Sequence, residues 1–198
     1  MRLSIIFIAY LIIDAAPVAA QEQALIPFEY DEKWGYKNKK GDVVIESVYF
    51  LADSFNTYGI AAVIDDSGWV YINKRGKSIL RPFIYDNGPD YFSEGLARYV
   101  SDGKMGFFDE RGSVIIPARL SFVLPFSEGL AAFCEGCKEI KDGEHSRMEG
   151  GKWGYIDKSG KVVINAIYII AGKFDGSKAR VEDERGSYYI DKKGNRVR

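Results

Sequence analysis

The chain has 198 residues, with 27 Lys and Arg against 28 Asp and Glu, one His and a formal net charge of −1. That balance excludes a bulk field for nucleic acid or an anionic membrane surface. With 46% hydrophobic residues, including 12 Phe, 13 Tyr and 3 Trp, the chain can bury a sizeable core, so disorder is not the default, and the length suits one domain or one repeat array.

The first residues read as a secretory signal peptide over residues 1–20. Arg2 precedes an apolar run over residues 3–13, and Pro17, Val18, Ala19 and Ala20 lead to a cleavage site that leaves Gln21 first. The run is about half the roughly 20 residues of a membrane span, and Asp14 interrupts it, so no transmembrane segment is expected after cleavage.

From Lys33 onward one motif recurs. Lys33-Trp34-Gly35-Tyr36-Lys37-Asn38-Lys39-Lys40-Gly41 is followed by copies starting at Gly68, Lys104, Lys152 and Gly186. Their closing glycines are Gly41, Gly76, Gly112, Gly160 and Gly194, at steps of 35, 36, 48 and 34 residues. A second motif runs in phase: Phe92-Ser93-Glu94-Gly95-Leu96-Ala97 and Phe126-Ser127-Glu128-Gly129-Leu130-Ala131, with looser copies from Phe55 and Phe174. A fixed period of this size marks a repeat architecture. The repeats fall at roughly 28–62, 63–98, 99–133, 146–180 and 181–198.

Each copy reads as β-structure. Asn or Asp, two polar residues and Gly form a type I turn with a left-handed fourth residue, and the flanks are rich in Tyr, Ile and Val. With a strand leading in from the second motif, every repeat becomes a three-stranded antiparallel meander. An irregular return, such as residues 82–91, leads to the next. The Gly after Trp (Gly35, Gly154, and Gly106 after Met105) marks a place where backbone or a side chain comes close. Ala61, Ala97, Ala131 and Ala179 stand at one position of the leading strand and are expected to lie beneath a Trp or Tyr of the adjoining strand.

These residues resemble the WG-repeat family of bacterial proteins, with its Lys-Trp-Gly-Tyr-Ile-Asp segment, Lys-x-Gly turn, Val-Val-Ile run and Phe-Ser-Glu-Gly-Leu-Ala segment. The resemblance spans about residues 28–197 and implies a β-repeat scaffold. It implies no catalytic residues and no cofactor. The structural repeat positions are Trp34, Gly35, Gly41, Trp69, Gly76, Gly106, Gly112, Trp153, Gly154, Gly160 and Gly194. The chain departs from the pattern at Met105 and Ser187, where Trp is missing, and at Val70 and Tyr188, where Gly is missing. Looser packing is expected in those copies.

The 48-residue step marks an insertion at 134–150, which holds Cys134, Cys137 and His145, all the Cys and His of the chain. In an exported chain the pair is read as a local disulfide. Free thiols, a metal site of Cys134, Cys137 and His145, and a redox pair are the alternatives; three ligands make a weak zinc site. Glu94 and Glu128 occupy one slot in two repeats and are read as structural, capping or bridging the Ser-Glu-Gly turn, rather than as a glycosidase pair. Asp65-Asp66 and Glu182-Asp183-Glu184 are read as solvated turns. Nucleophile-elbow, phosphate-loop, dinucleotide and paired-His motifs are missing from the sequence.

The expected fold is all-β: a tandem array of about five meanders in an elongated or curved stack, with a propeller-like closed ring as the alternative. The expected function is that of an exported, non-enzymatic binding or scaffold module for a protein partner in the cell envelope. Glu135, Lys138, His145 and Arg147 are the candidate partner contacts. A glycan or cell-wall binder is the alternative, which exposed Trp34, Trp69 and Trp153 would favour; an enzyme is the least favoured class.

Overall fold

The structure is a computed structural model that describes residues 24–142 and 145–198. The signal-peptide reading of residues 1–20 lies outside the described residues. Within them no helix is long and apolar enough to cross a membrane.

The fold is all-β. Each repeat contributes a leading strand, a middle strand carrying the Trp-Gly motif, and a third strand. In the first sheet these are Ile26–Tyr30, Lys33–Lys37 and Val43–Tyr49. The second sheet is built on Ile60–Asp65 and Gly68–Asn73, the third on Leu96–Ser101 and Lys104–Asp109, the fourth on Leu130–Glu135 and Lys152–Asp157, and the fifth on Lys178–Asp183 and Gly186–Asp191. All of these pairs are antiparallel.

The recurrent turn follows from its chemistry. Asn38, Asn73, Asp109, Asp157 and Asp191 each accept, through Oδ1, the backbone N–H groups two and four residues on. Their carbonyls accept from the turn glycines at 2.9–3.0 Å. Short Asx side chains that satisfy the turn's own backbone are the reason for their preference here.

The Gly after Trp answers a different need. Opposite Gly35, Gly106 and Gly154 the third strand carries two extra residues, because Trp34 pairs with Tyr49 but Tyr36 with Ile45, and likewise in the third and fourth sheets. The resulting arch brings backbone onto the glycine. A Cβ on Gly154 would lie 2.4 Å from the Ile164 carbonyl oxygen and 2.7 Å from the Ala166 nitrogen. After the arch the same chain segment crosses to the next sheet, where Leu51–Ala52, Phe122–Val123 and Ile170–Ala171 pair with the following leading strands. Three sheets are therefore four-stranded rather than simple meanders.

Alternation along the strands shares each sheet between two cores. Ala61 and Val63 face the first sheet's Tyr36 and Ile45, while Ile60 and Ala62 face the third sheet's Ala97 and Phe108. The same arrangement joins the third to the fourth sheet and the fourth to the fifth. Among the described residues no pairing or core cluster joins the first sheet to the fifth, so the array is open. The repeated Ala lies opposite Ile72, Phe108, Ile156 or Ile190. It shares its core with the aromatic of the preceding repeat (Tyr36, Tyr71, Phe107 or Tyr155); Tyr188 of the adjoining strand joins the core of Ala179, while Trp69 and Tyr71, and Trp153 and Tyr155, lie outside the cores of Ala61 and Ala131.

The two motifs are linked by an aromatic pair. Tyr36 meets Phe55 at 4.6 Å between ring centroids, Phe107 meets Phe126 at 4.6 Å, and Tyr155 meets Phe174 at 4.9 Å. Tyr36 and Tyr155 also donate their hydroxyls to the carbonyls of Asp53 and Gly172. Glu94 and Glu128 reach beyond their own turns. Glu94 accepts from Gly129 N–H and pairs with Lys158 at 3.0 Å; Glu128 accepts from Ser177 N–H and pairs with Lys192 at 3.1 Å. They stitch one repeat to the next, as do Ser93 and Ser127, whose hydroxyls donate to Phe126 and Phe174 carbonyls at 2.7 Å.

These contacts carry a pH dependence. Ser177 N–H, then Lys192, hold the Glu128 carboxyl below its usual range; Asn195 does the same for Asp191, and the Ser159 hydroxyl for Asp157. A depressed carboxylate stabilises above its unfolded pKa, near 4 to 4.5, and loses that contribution as pH falls through the folded value. The denaturant midpoint is therefore expected to hold from neutral pH to about 4.5 and to fall below it. A midpoint that rises on acidification would refute the assignment.

Candidate functional site

Two segments break the repeat, and the structure places them side by side. The first was hidden in the regular 36-residue step. The third strand takes seven steps from Ile45 to Ala52, Ile116 to Val123 and Ile164 to Ala171, but only two from Leu80 to Pro82. The arch is missing where Val70 replaces the motif glycine. In exchange, the return from Phe83 to Phe92 is seven residues longer than its counterparts, Asp53 to Phe55, Leu124 to Phe126 and Gly172 to Phe174.

That extra length forms an excursion. Ile84–Tyr85 pairs with Gly88–Pro89 around a turn whose Asp86 and Asn87 both have positive φ, 49° and 68°. Both values belong to the tight hairpin turn that Asn-Gly favours. So the return at 82–91, expected to be irregular, holds a hairpin. Trp69 donates its indole N–H to the Asn87 carbonyl at 3.1 Å, holding the tip.

At the neck, Asp90 accepts three hydrogen bonds from Arg98: from Nε at 2.8 Å, from Nη2 at 2.7 Å and from the backbone N–H at 3.0 Å. The remaining guanidinium nitrogen donates to the Val123 carbonyl, and the plane lies 4.4 Å from the Phe83 ring centroid. Both side chains are buried, 4% and 3% exposed. Arg98 stands where the second and fourth leading strands have Ala62 and Ala132 and the fifth has the exposed Arg180, so it is the buried pairing with Asp90, not the Arg itself, that belongs to the excursion.

The second break is the insertion. Lys138–Asp142 and His145–Glu149 form a two-stranded hairpin. Cys134 and Cys137 close its base in a disulfide with Cα atoms 5.9 Å apart, buried beside Trp153 and Tyr168. Gly151 is in the left-handed region at φ +64°, and a Cβ there would strike the Glu135 oxygen and the Cys137 nitrogen. His145 pairs with Asp142 at the far end of the hairpin, about 17 Å of strand from its base, so the backbone does not bring it to the cysteines.

Between excursion and hairpin lies a groove of ≈ 1520 Å³. Tyr85 and Tyr91 rise on one side, 55% and 71% exposed with their rings 6.3 Å apart. Glu139, Arg147 and Met148 stand on the other. Phe83, Met105 and Phe122 line the floor over the Arg98–Asp90 pair. Its nucleophile-type groups are engaged: Ser93 donates to Phe126, Lys104 to Ser121 at 3.3 Å, and Cys137 is bridged. The arrangement can grip an apolar or aromatic segment.

Of the four candidate contacts, Arg147 lines the groove. Glu135, at the end of its strand opposite Lys152, and Lys138, opposite Glu149, are exposed outside the groove lining. His145 is placed only by its pairing with Asp142. Among the turn carboxylates Asp66 and Glu184 are exposed, while Asp65 accepts from Arg81 Nη2 through both oxygens and Asp183 accepts from the Tyr188 hydroxyl. Trp153 is buried, while Trp34 and Trp69 are half-buried. Sequence reasoning missed Tyr85, Asp90, Tyr91 and Arg98. The Asp86-Asn87 pair, two residue types that tolerate positive φ, was the available signal.

A family model described as WG containing repeat matches residues 34–69, 69–104, 105–138 and 153–185. No curated protein and no solved structure matches the chain.

Proposed function

The chain belongs to the family of WG containing repeat proteins, and from that premise we propose that it is an exported, non-enzymatic binding module whose groove holds a protein partner in the cell envelope. The observation that carries this reading is that both departures from an otherwise regular array line one groove. Repeat arrays offer extended surfaces without a catalytic pocket. Exposed aromatics over a Met- and Phe-lined floor have the composition of an interface centre. Export is supported by the leader-like residues 1–20 and by the disulfide, which suits an oxidising compartment. The limited exposure of the three Trp weighs against the glycan reading.

Affinity capture from an envelope extract tests this. Wild-type protein should retain a protein that is lost with Tyr85→Ala/Tyr91→Ala and with deletion of 136–151. Equal capture by all three forms, or binding on a glycan array that survives the Tyr substitutions, would overturn it.

A further inference from the structure

The net charge of −1 conceals a segregation of charge. In a meander the turn joining leading and middle strands lies at one end, and the turn joining middle and third strands lies at the other. The middle strand of the first sheet, Lys33–Lys37, separates the two ends by about 17 Å. In the first two sheets the middle-to-third turns present Lys39, Lys40, Arg75 and Lys77, all exposed. The leading-to-middle turns and their approach present Glu29, Asp31, Glu32 and Asp66, also exposed.

Each set is contiguous. Tyr49 donates its hydroxyl to the Gly76 carbonyl at 3.4 Å and Gly76 lies against Ile45, which sets the two basic turns side by side. At the other end the Lys33 ammonium lies 3.1 Å from the Phe50 ring centroid, and the Phe50 N–H bonds the Ile64 carbonyl next to Asp65. This sets the two acidic turns side by side. Arg81 is paired with Asp65; each edge otherwise carries one opposing charge, Asp42 bonded to the Asn38 amide at the basic edge and Lys33 over the Phe50 ring at the acidic edge, so four basic and four acidic groups outweigh it.

We propose that the basic edge of the first two sheets docks on the acidic edge of a second copy of this chain. The charges are complementary, and because the same two repeats space both edges, the spacing matches without further adjustment. A contact between two different patches is heterologous, so it propagates beyond a dimer. It is independent of the groove, which lies further along the array, and leaves that site open. Nearly balanced net charge removes the long-range repulsion that would oppose assembly.

Sedimentation equilibrium tests the proposal. At about 20 mM ionic strength the weight-average mass should rise with protein concentration and pass that of a dimer. At about 0.5 M it should return to the monomer, because exposed charges are screened. Lys39→Glu/Lys40→Glu/Arg75→Glu/Lys77→Glu should be monomeric at low salt, and so should Glu29→Lys/Glu32→Lys/Asp66→Lys. Mixed together, the two should associate, and the β-sheet circular dichroism spectrum of each variant alone checks that it is folded. A wild-type chain that stays monomeric at low salt, or association that neither reversal abolishes, would overturn the proposal.

Discussion

Alanine at position 154 is expected to destabilise the protein by roughly 3 kcal/mol, the upper part of the range for overpacking a core. The cost comes from space alone. Gly154 does not have a positive φ, but the added methyl carbon would lie 2.4 Å from one backbone atom and 2.7 Å from two more, all in the arch of the third strand. Backbone held by pairing on both sides of the arch cannot retreat as a flexible side chain would. The arch would have to flatten, which would move Ile164 and Tyr168 out of the core between the fourth and fifth sheets. Gly41→Ala is the control: its φ is +94° but nothing lies within 4 Å, so it should cost about 1–2 kcal/mol from the left-handed backbone. Urea midpoints of the two variants check the ordering. Equal effects would mean that the arch yields to the added methyl group and that the close approach is not what the Trp-Gly glycine serves.

Arg98→Met is expected to cost about 3–5 kcal/mol, because it leaves the Asp90 carboxylate buried without its partner. Asp90→Leu, leaving the guanidinium unpaired, should cost a similar amount. The double variant should recover most of the stability, since two apolar groups replace a desolvated pair. It should not recover partner capture, because the three bonds to Asp90 are what fix the neck of the excursion that walls the groove. Denaturant midpoints and capture assays on the three variants separate the two effects. A double variant that captures as well as wild type would show that the pair contributes stability alone.

How much was legible follows from the kind of signal each feature leaves. The five hairpins and their turns repeat a local rule, an Asx side chain and a left-handed Gly, so composition at fixed spacing exposes them. Cys134 and Cys137 stood out because the insertion stretched the period to 48 residues. The excursion left no such trace: a five-residue loss and a seven-residue gain within one repeat almost cancel in the spacing. The stitching by Glu94 and Glu128 was out of reach for another reason. Their partners, Gly129 and Ser177, lie 35 and 49 residues away, and only the stacking of the sheets brings them together. The groove has the same origin, since residues of the second repeat's return meet an insertion some fifty residues later.

The central claim is that the two departures from the repeat form one binding site. Hydrogen exchange on the protein with and without its captured partner tests this most directly. Protection is expected at 84–91 and 137–149 together, with the turns of the first and fifth sheets unchanged. Protection confined to the repeat turns, or to one departure without the other, would contradict it.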